Sequence, residues 1–169
     1  MAADLMKASL FDNSRDFSML PCNLRLDIAE KSFAAKADRE GRRGLGLIWV
    51  IQEFKYLRDT RYLQGDVQLA ACMLAAWQED YDFLKLDNLP PQIMGIKFVS
   101  DVVRFYSMKP SINYLISLKT GLPKEDLHVL RSPPLELSNP KDRLDILLNL
   151  WSMRKQGLLM NKITHVQPK

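Results

Sequence analysis

At 169 residues, with 47% hydrophobic and 26% charged side chains, the chain has the size of one globular domain and is too apolar to be disordered. Its formal net charge of +4 is mild and falls below the usual footprint of a strong polyanion binder. No basic start followed by an apolar stretch opens the chain. The longest apolar run, Leu69 to Trp77, is far short of the ~20 residues a bilayer needs, so neither a signal peptide nor a membrane span is expected.

Met1 to Leu10 predicts a short helix, and the stretch from Phe11 to Cys22 is rich in turn formers. Asn23 to about Ala37 predicts a helix, with Leu26, Ala29, Phe33 and Ala37 at helical spacing. Residues 38–44 form a polar connector. Leu45 to Asp59 fits two patterns. The run from Leu47 to Ile51 suits a buried strand, while Leu47, Val50, Ile51, Phe54 and Leu57 share one helical face; its length favours a helix.

Asp66 is placed to cap a central helix through Trp77, whose apolar residues run almost all the way round, as in a buried element. Gln92 to Met108 predicts another helix, with Ile96, Val99, Val102, Val103 and Tyr106 on one face. Ser111 can cap a short helix that ends before Gly121, and Pro123 suits the first position of another, through about Arg131. Asn139-Pro140 is a strong start signal for a last helix, with Leu144, Leu147, Leu148 and Trp151 inward and Gly157 as its C-terminal cap. Trp49, Trp77 and Trp151 are all expected in or near the core. The sum is an all-α, single-domain bundle of six to eight helices over residues 1–163, with a tail over 164–169.

The two cysteines fall in different settings. Cys72 lies in the apolar run and reads as a core residue, whereas Cys22 follows Pro21 in an expected loop. Such a pair is no disulfide framework, so a reducing intracellular compartment, cytoplasm or nucleus, is expected. Two distant histidines, His128 and His165, and two cysteines supply no zinc spacing. Gly41, Gly44 and Gly46 are spaced unlike a phosphate-binding loop, and nothing around Cys22 resembles a nucleophile turn. No cofactor, no metal and no catalytic residue are expected, and a small-molecule substrate is not foreseen.

Charge is distributed unevenly. Residues 30–62 carry eight basic against five acidic side chains, residues 66–101 two against six, and residues 141–169 six against two. In the first basic stretch Lys36, Arg39, Arg42, Arg43, Arg58 and Arg61, with Tyr56 and Tyr62 nearby, offer phosphate contacts beside stacking rings. The acidic centre, Glu79, Asp80 and Asp82, offers a complementary surface for a protein partner or a second copy. Residues 111–131 resemble a helix-turn-helix unit, with Ser117, Gly121, Leu122, Leu127 and Leu130 in the fitting places; Glu125 and Asp126 at the start of the would-be reading helix would repel phosphate. The sequence therefore points to a non-enzymatic interaction or assembly module, such as a subunit of a larger complex or a viral structural or accessory protein. Nucleic-acid binding through the 31–61 region is the alternative, followed by a helix-turn-helix regulator.

Overall fold

Strands, not helices, dominate the first half of the chain in the computed structural model, which describes residues 18–43, 46–54, 62–83 and 92–164. In chain order the elements are β1 (Ser18–Ile28), β2 (Lys31–Arg43), β3 (Gly46–Phe54), α1 (Tyr62–Phe83), β4 (Ile93–Val99), β5 (Val102–Met108), α2 (Ile112–Thr120), β6 (Val129–Arg131), β7 (Leu135–Glu136) and α3 (Pro140–Thr164). The strands form one sheet in the order β1-β2-β3-β4-β5-β6, with β7 pairing the opposite end of β5. All neighbours are antiparallel except β3 and β4, which are parallel and joined through α1 as a βαβ unit.

The fold is therefore α/β, and the expected all-α bundle is overturned. Alternation along the strands divides the interior in two. On one face Leu24, Leu26, Ala35, Val50, Ile93, Tyr106 and Met108 pack with Leu69, Met73 and Ala76 of α1 and Leu115 and Leu118 of α2. On the other, Trp49, Ile51, Met94, Ile96, Phe98, Val103 and Phe105 pack with Ile146, Leu150 and Met153 of α3.

Each misplaced helix has a physical reason. The segment 23–37 is the β1–β2 hairpin, turning at Ala29 and Glu30 with φ of 48° and 64°. Neither residue is a turn former, and the left-handed conformation costs both of them. Their N–H groups donate to the carbonyls of Leu118 and Lys119 at 2.9 and 3.0 Å, completing the end of α2, so a tertiary contact supports a turn the local sequence does not announce. The segment 92–108 is the β4–β5 hairpin. All seven residues of β4 are buried because helices cover both faces, which removes the alternation that marks a strand. The ambiguous run at 47–51 is strand β3.

Several expectations hold. α1 covers the foreseen central helix, although it begins at Tyr62, which puts Asp66 in its second turn and not at its cap. Ser111 caps α2, its hydroxyl accepting from the Tyr114 N–H at 2.9 Å, and Gly121 follows the helix end. Asn139 accepts from the Lys141 N–H at 3.0 Å at the start of α3. Gly157, however, lies inside that helix. Residues 123–128 are not helical and 129–131 are strand β6, so the helix-turn-helix reading fails for want of its second helix. The expected helix over residues 1–10 lies outside the described residues.

Candidate functional site

Strand β2 carries the first group of predicted site residues. Lys36 and Arg39 are exposed and make no ion pair among the described residues. The Lys36 carbonyl accepts from Gln68 Nε2 of α1 at 2.9 Å, which ties β2 to the first half of that helix. Arg42 is committed inward: Nε donates to Glu40 at 2.6 Å and Nη2 to Glu79 of α1 at 2.6 Å. Burial works against the Arg42 charge, but the two carboxylates outweigh it and raise the guanidinium above its ordinary value. The side chain of Arg43 and residues Arg58 and Arg61 lie outside the described residues.

The acidic group is spread over settings that differ in burial, and Asp82 is exposed. Glu79 holds Arg42, Asp82 accepts from Lys119 of α2 at 2.6 and 2.8 Å, and Asp80 is buried. Glu79 and Asp82 thus each join α1 to another element of the same chain.

A third constellation was not foreseen. Lys97 of β4 is fully buried, and its Nζ donates to Asp66 Oδ1 at 2.5 Å. The same oxygen accepts from the Tyr106 hydroxyl at 2.9 Å, while Asp66 Oδ2 accepts from Arg131 Nη1 at 3.0 Å. Burial would raise the Asp66 carboxyl; the hydrogen bonds from Lys97, Tyr106 and Arg131 outweigh it and hold it below the ordinary carboxylate value. Burial, and then the Asp66 charge, push the Tyr106 phenol up. Arg131 also enters a groove of about 370 Å³ between β5, β6 and α3, which Tyr106, Ser132, Asn149, Met153 and Gln156 help to line. No signal in the sequence links residues 66, 97, 106 and 131, because only the parallel pairing of β3 and β4 and the return of β6 bring them together. Among the described residues no three His, Cys, Asp or Glu side chains gather as a metal site.

No family model, curated protein or solved structure matches the chain.

The remaining feature is on α3. Ile146, Leu150 and Met153 face the sheet, so the stripe read from the sequence as inward points to solvent: Leu144, Leu147, Leu148 and Trp151 are 57%, 43%, 51% and 57% exposed. Trp151 therefore departs from the core expected for it, while Trp49 and Trp77 are buried. Two apolar stripes at helical spacing run along this helix, and the sheet takes only one. Exposed Lys141, Arg143 and Lys155 border the outer stripe, and Lys155 Nζ sits 5.4 Å from the Trp151 ring centroid. None of the described helices is long and apolar enough to cross a membrane.

Proposed function

We propose that the chain is a non-enzymatic interaction module that docks a protein partner on the outer face of α3. The observation that carries this reading is the exposed row Leu144, Leu147, Leu148 and Trp151, spaced i, i+3, i+4 and i+7 on a helix already anchored by its opposite side. Continuous apolar surface of this kind is uncommon on proteins that work alone, and the spacing suits the contact face of a packed helix. The basic border of Lys141, Arg143 and Lys155 favours a partner segment whose apolar residues are flanked by acids. Capture of one partner by the full chain, followed by titration of the purified pair, tests the reading. Leu148→Glu and Trp151→Glu should each weaken the complex at least tenfold without unfolding the chain; a complex of unchanged affinity contradicts it.

A second reading, nucleic-acid binding, is favoured by Lys36 and Arg39, which stay exposed on β2, and by Lys55, Arg58 and Arg61 in the sequence that links β3 to α1. Binding of this type weakens steeply with salt. Lys36→Glu/Arg39→Glu should reduce affinity for any RNA or DNA sequence alike, and no measurable binding at ~50 mM salt, where such contacts are strongest, removes the reading.

A further inference from the structure

Strand β6 ends the sheet on the side away from β1, and no strand lies beyond it among the described residues. Its ladder with β5 fixes which backbone groups look outward. Residue pairs along an antiparallel ladder alternate between hydrogen-bonded and open ones. The Ser132 N–H donates to the Phe105 carbonyl at 2.9 Å, so that pair is bonded, and the next bonded pair is Leu130 with Ser107. The N–H and C=O groups of Val129 and Arg131 therefore point away from β5, to an edge where both residues are exposed. They make no other backbone hydrogen bond among the described residues.

Between this edge and α3 lies the groove of about 370 Å³. Met94, Phe105 and Met153 give it an apolar floor, and Gln92, Ser107, Asn149, Ser152 and Gln156 give it uncharged polar walls. Arg131, the one charged residue among those that line it, has its guanidinium on Asp66. The groove runs on at both ends. Past Ser132 and Ser152 it reaches Leu135 and Leu148, and past Ser107 and Leu130 it reaches Tyr114, where Lys109, Glu125 and Asp126 stand. We infer that β6 takes up an extended peptide segment of another protein as an added strand, with a large apolar side chain of that segment in the groove.

An extended backbone presents N–H and C=O groups at the spacing of Val129 and Arg131. Alternate side chains of the added strand share the face of Leu130, which is 69% exposed beside the groove. An apolar floor within uncharged walls suits Leu, Met or Phe there. A second copy of the chain fits less well: its own β6 has three residues and is followed by Pro133 and Pro134, so it cannot follow the groove to both ends. This site goes beyond the docking face on α3 and does not depend on it.

Linear peptides of about eight residues, within the ordinary length of a strand, test this on the full chain; the set carries Leu, Met, Phe or Gly at the centre and Lys or Glu at the flanks. Peptides with a large apolar centre should bind at micromolar concentration, and a Gly centre or methylated alternate backbone nitrogens should weaken binding about tenfold or more. Hydrogen exchange at the Val129 and Arg131 amides should slow on binding, while that at Leu130, already bonded to β5, changes little. Val129→Pro removes an outward donor and no ladder hydrogen bond, so it should weaken binding about tenfold at an unchanged melting temperature. Ser152→Phe, which fills the groove from α3, should weaken it as much without touching β6. Trp151→Glu should leave peptide binding unchanged, so the groove and the outer face of α3 are tested apart. No binding by any peptide of the set, full affinity in Ser152→Phe or with the methylated backbone, or a dimer that Val129→Pro turns into a monomer would each overturn the inference.

Discussion

The side-chain amide of Gln78 makes both of the hydrogen bonds to Asp27 that a neighbouring strand would make, accepting from its N–H at 2.9 Å and donating to its C=O at 2.9 Å. Asp27 lies in β1, the outermost strand on its side of the sheet, and Gln78 is buried on α1. An open strand edge is a template for pairing with other chains. Here α1 both packs on the sheet and occupies its edge at this position.

Gln78→Ala should therefore cost about 1–3 kcal/mol, the penalty of leaving backbone groups without partners. Gln78→Glu keeps the acceptor for the Asp27 N–H but loses the donor to its C=O, and should cost a comparable amount. Hydrogen exchange at Asp27 should accelerate in Gln78→Ala, with unfolding in urea giving the energy. Exchange at the wild-type rate would show that the edge is protected by other means.

The β1–β2 turn stores strain that can be removed. Ala29 and Glu30 both hold positive φ, and a two-residue hairpin of this kind prefers Asn-Gly. Ala29→Asn/Glu30→Gly leaves the backbone N–H donors to α2 in place and should stabilise the chain by about 1 kcal/mol. A lower urea midpoint for the double variant would contradict this account of the turn.

The same turn explains much of what the sequence does and does not disclose. Ser111, Gly121 and Asn139 act through their own nearest backbone groups, so α2 and the start of α3 are legible one residue at a time. Ala29 and Glu30 are good helix formers held in left-handed backbone by a contact with residues 118 and 119, far along the chain. β4 is buried at every position because α1 and α3 lie on its two faces, and a strand of that kind carries no alternation. On α3 the spacing of Leu144, Leu147, Leu148 and Trp151 is plain in the sequence, but the competing row of Ile146, Leu150 and Met153 is equally regular. Which row faces inward depends on the sheet, and the spacing along α3 carries no trace of where the sheet lies. Charge counts along the chain do not show which charges pair within it: Glu79 and Arg42, from the acidic and basic stretches, are partners in one chain.

The buried Lys97 depends on Asp66. Asp66→Asn should cost roughly 3 kcal/mol by leaving a buried ammonium without its carboxylate, and Asp66→Asn/Lys97→Met should recover part of that loss because neither charge then remains. The pH dependence follows from the direction of the shift. Asp66 has its folded-state value below the ordinary 3.8, so its contribution is complete above that pH and fades as the pH falls through the lower folded value. The stability gap between wild type and Asp66→Asn should therefore be constant from pH 7 to about 5 and narrow below about 4. A gap that widens in acid, or single losses that simply add in the double variant, would contradict the pairing.

Gly41 gives a steric test of the β2–β3 register. It pairs with Trp49, and a Cβ at position 41 would lie 2.0 to 2.3 Å from three atoms of the indole ring. Trp49 is fully buried under α3, so the ring has no free direction in which to retreat. Gly41→Ala should cost about 1–3 kcal/mol as an overpacking change and shift the buried tryptophan emission to the red. A variant as stable as wild type would mean that β2 and β3 pair in another register.

The two rows of α3 predict opposite outcomes for neighbouring substitutions. Leu150 is fully buried against the sheet, so Leu150→Ala should cost 2–5 kcal/mol, as for other large-to-small core changes. Trp151, one residue on, is mostly exposed, and Trp151→Ala should change stability by no more than about 0.5 kcal/mol, the size of an exposed cation–π contact with Lys155. Leu148→Ala should resemble Trp151→Ala. Urea unfolding of the three variants separates this arrangement from the one read from the sequence, which places residues 148 and 151 in the core and predicts the large losses there. If Trp151→Ala proves as costly as Leu150→Ala, the outer row is packed against something within the chain itself, and it is not available to a partner.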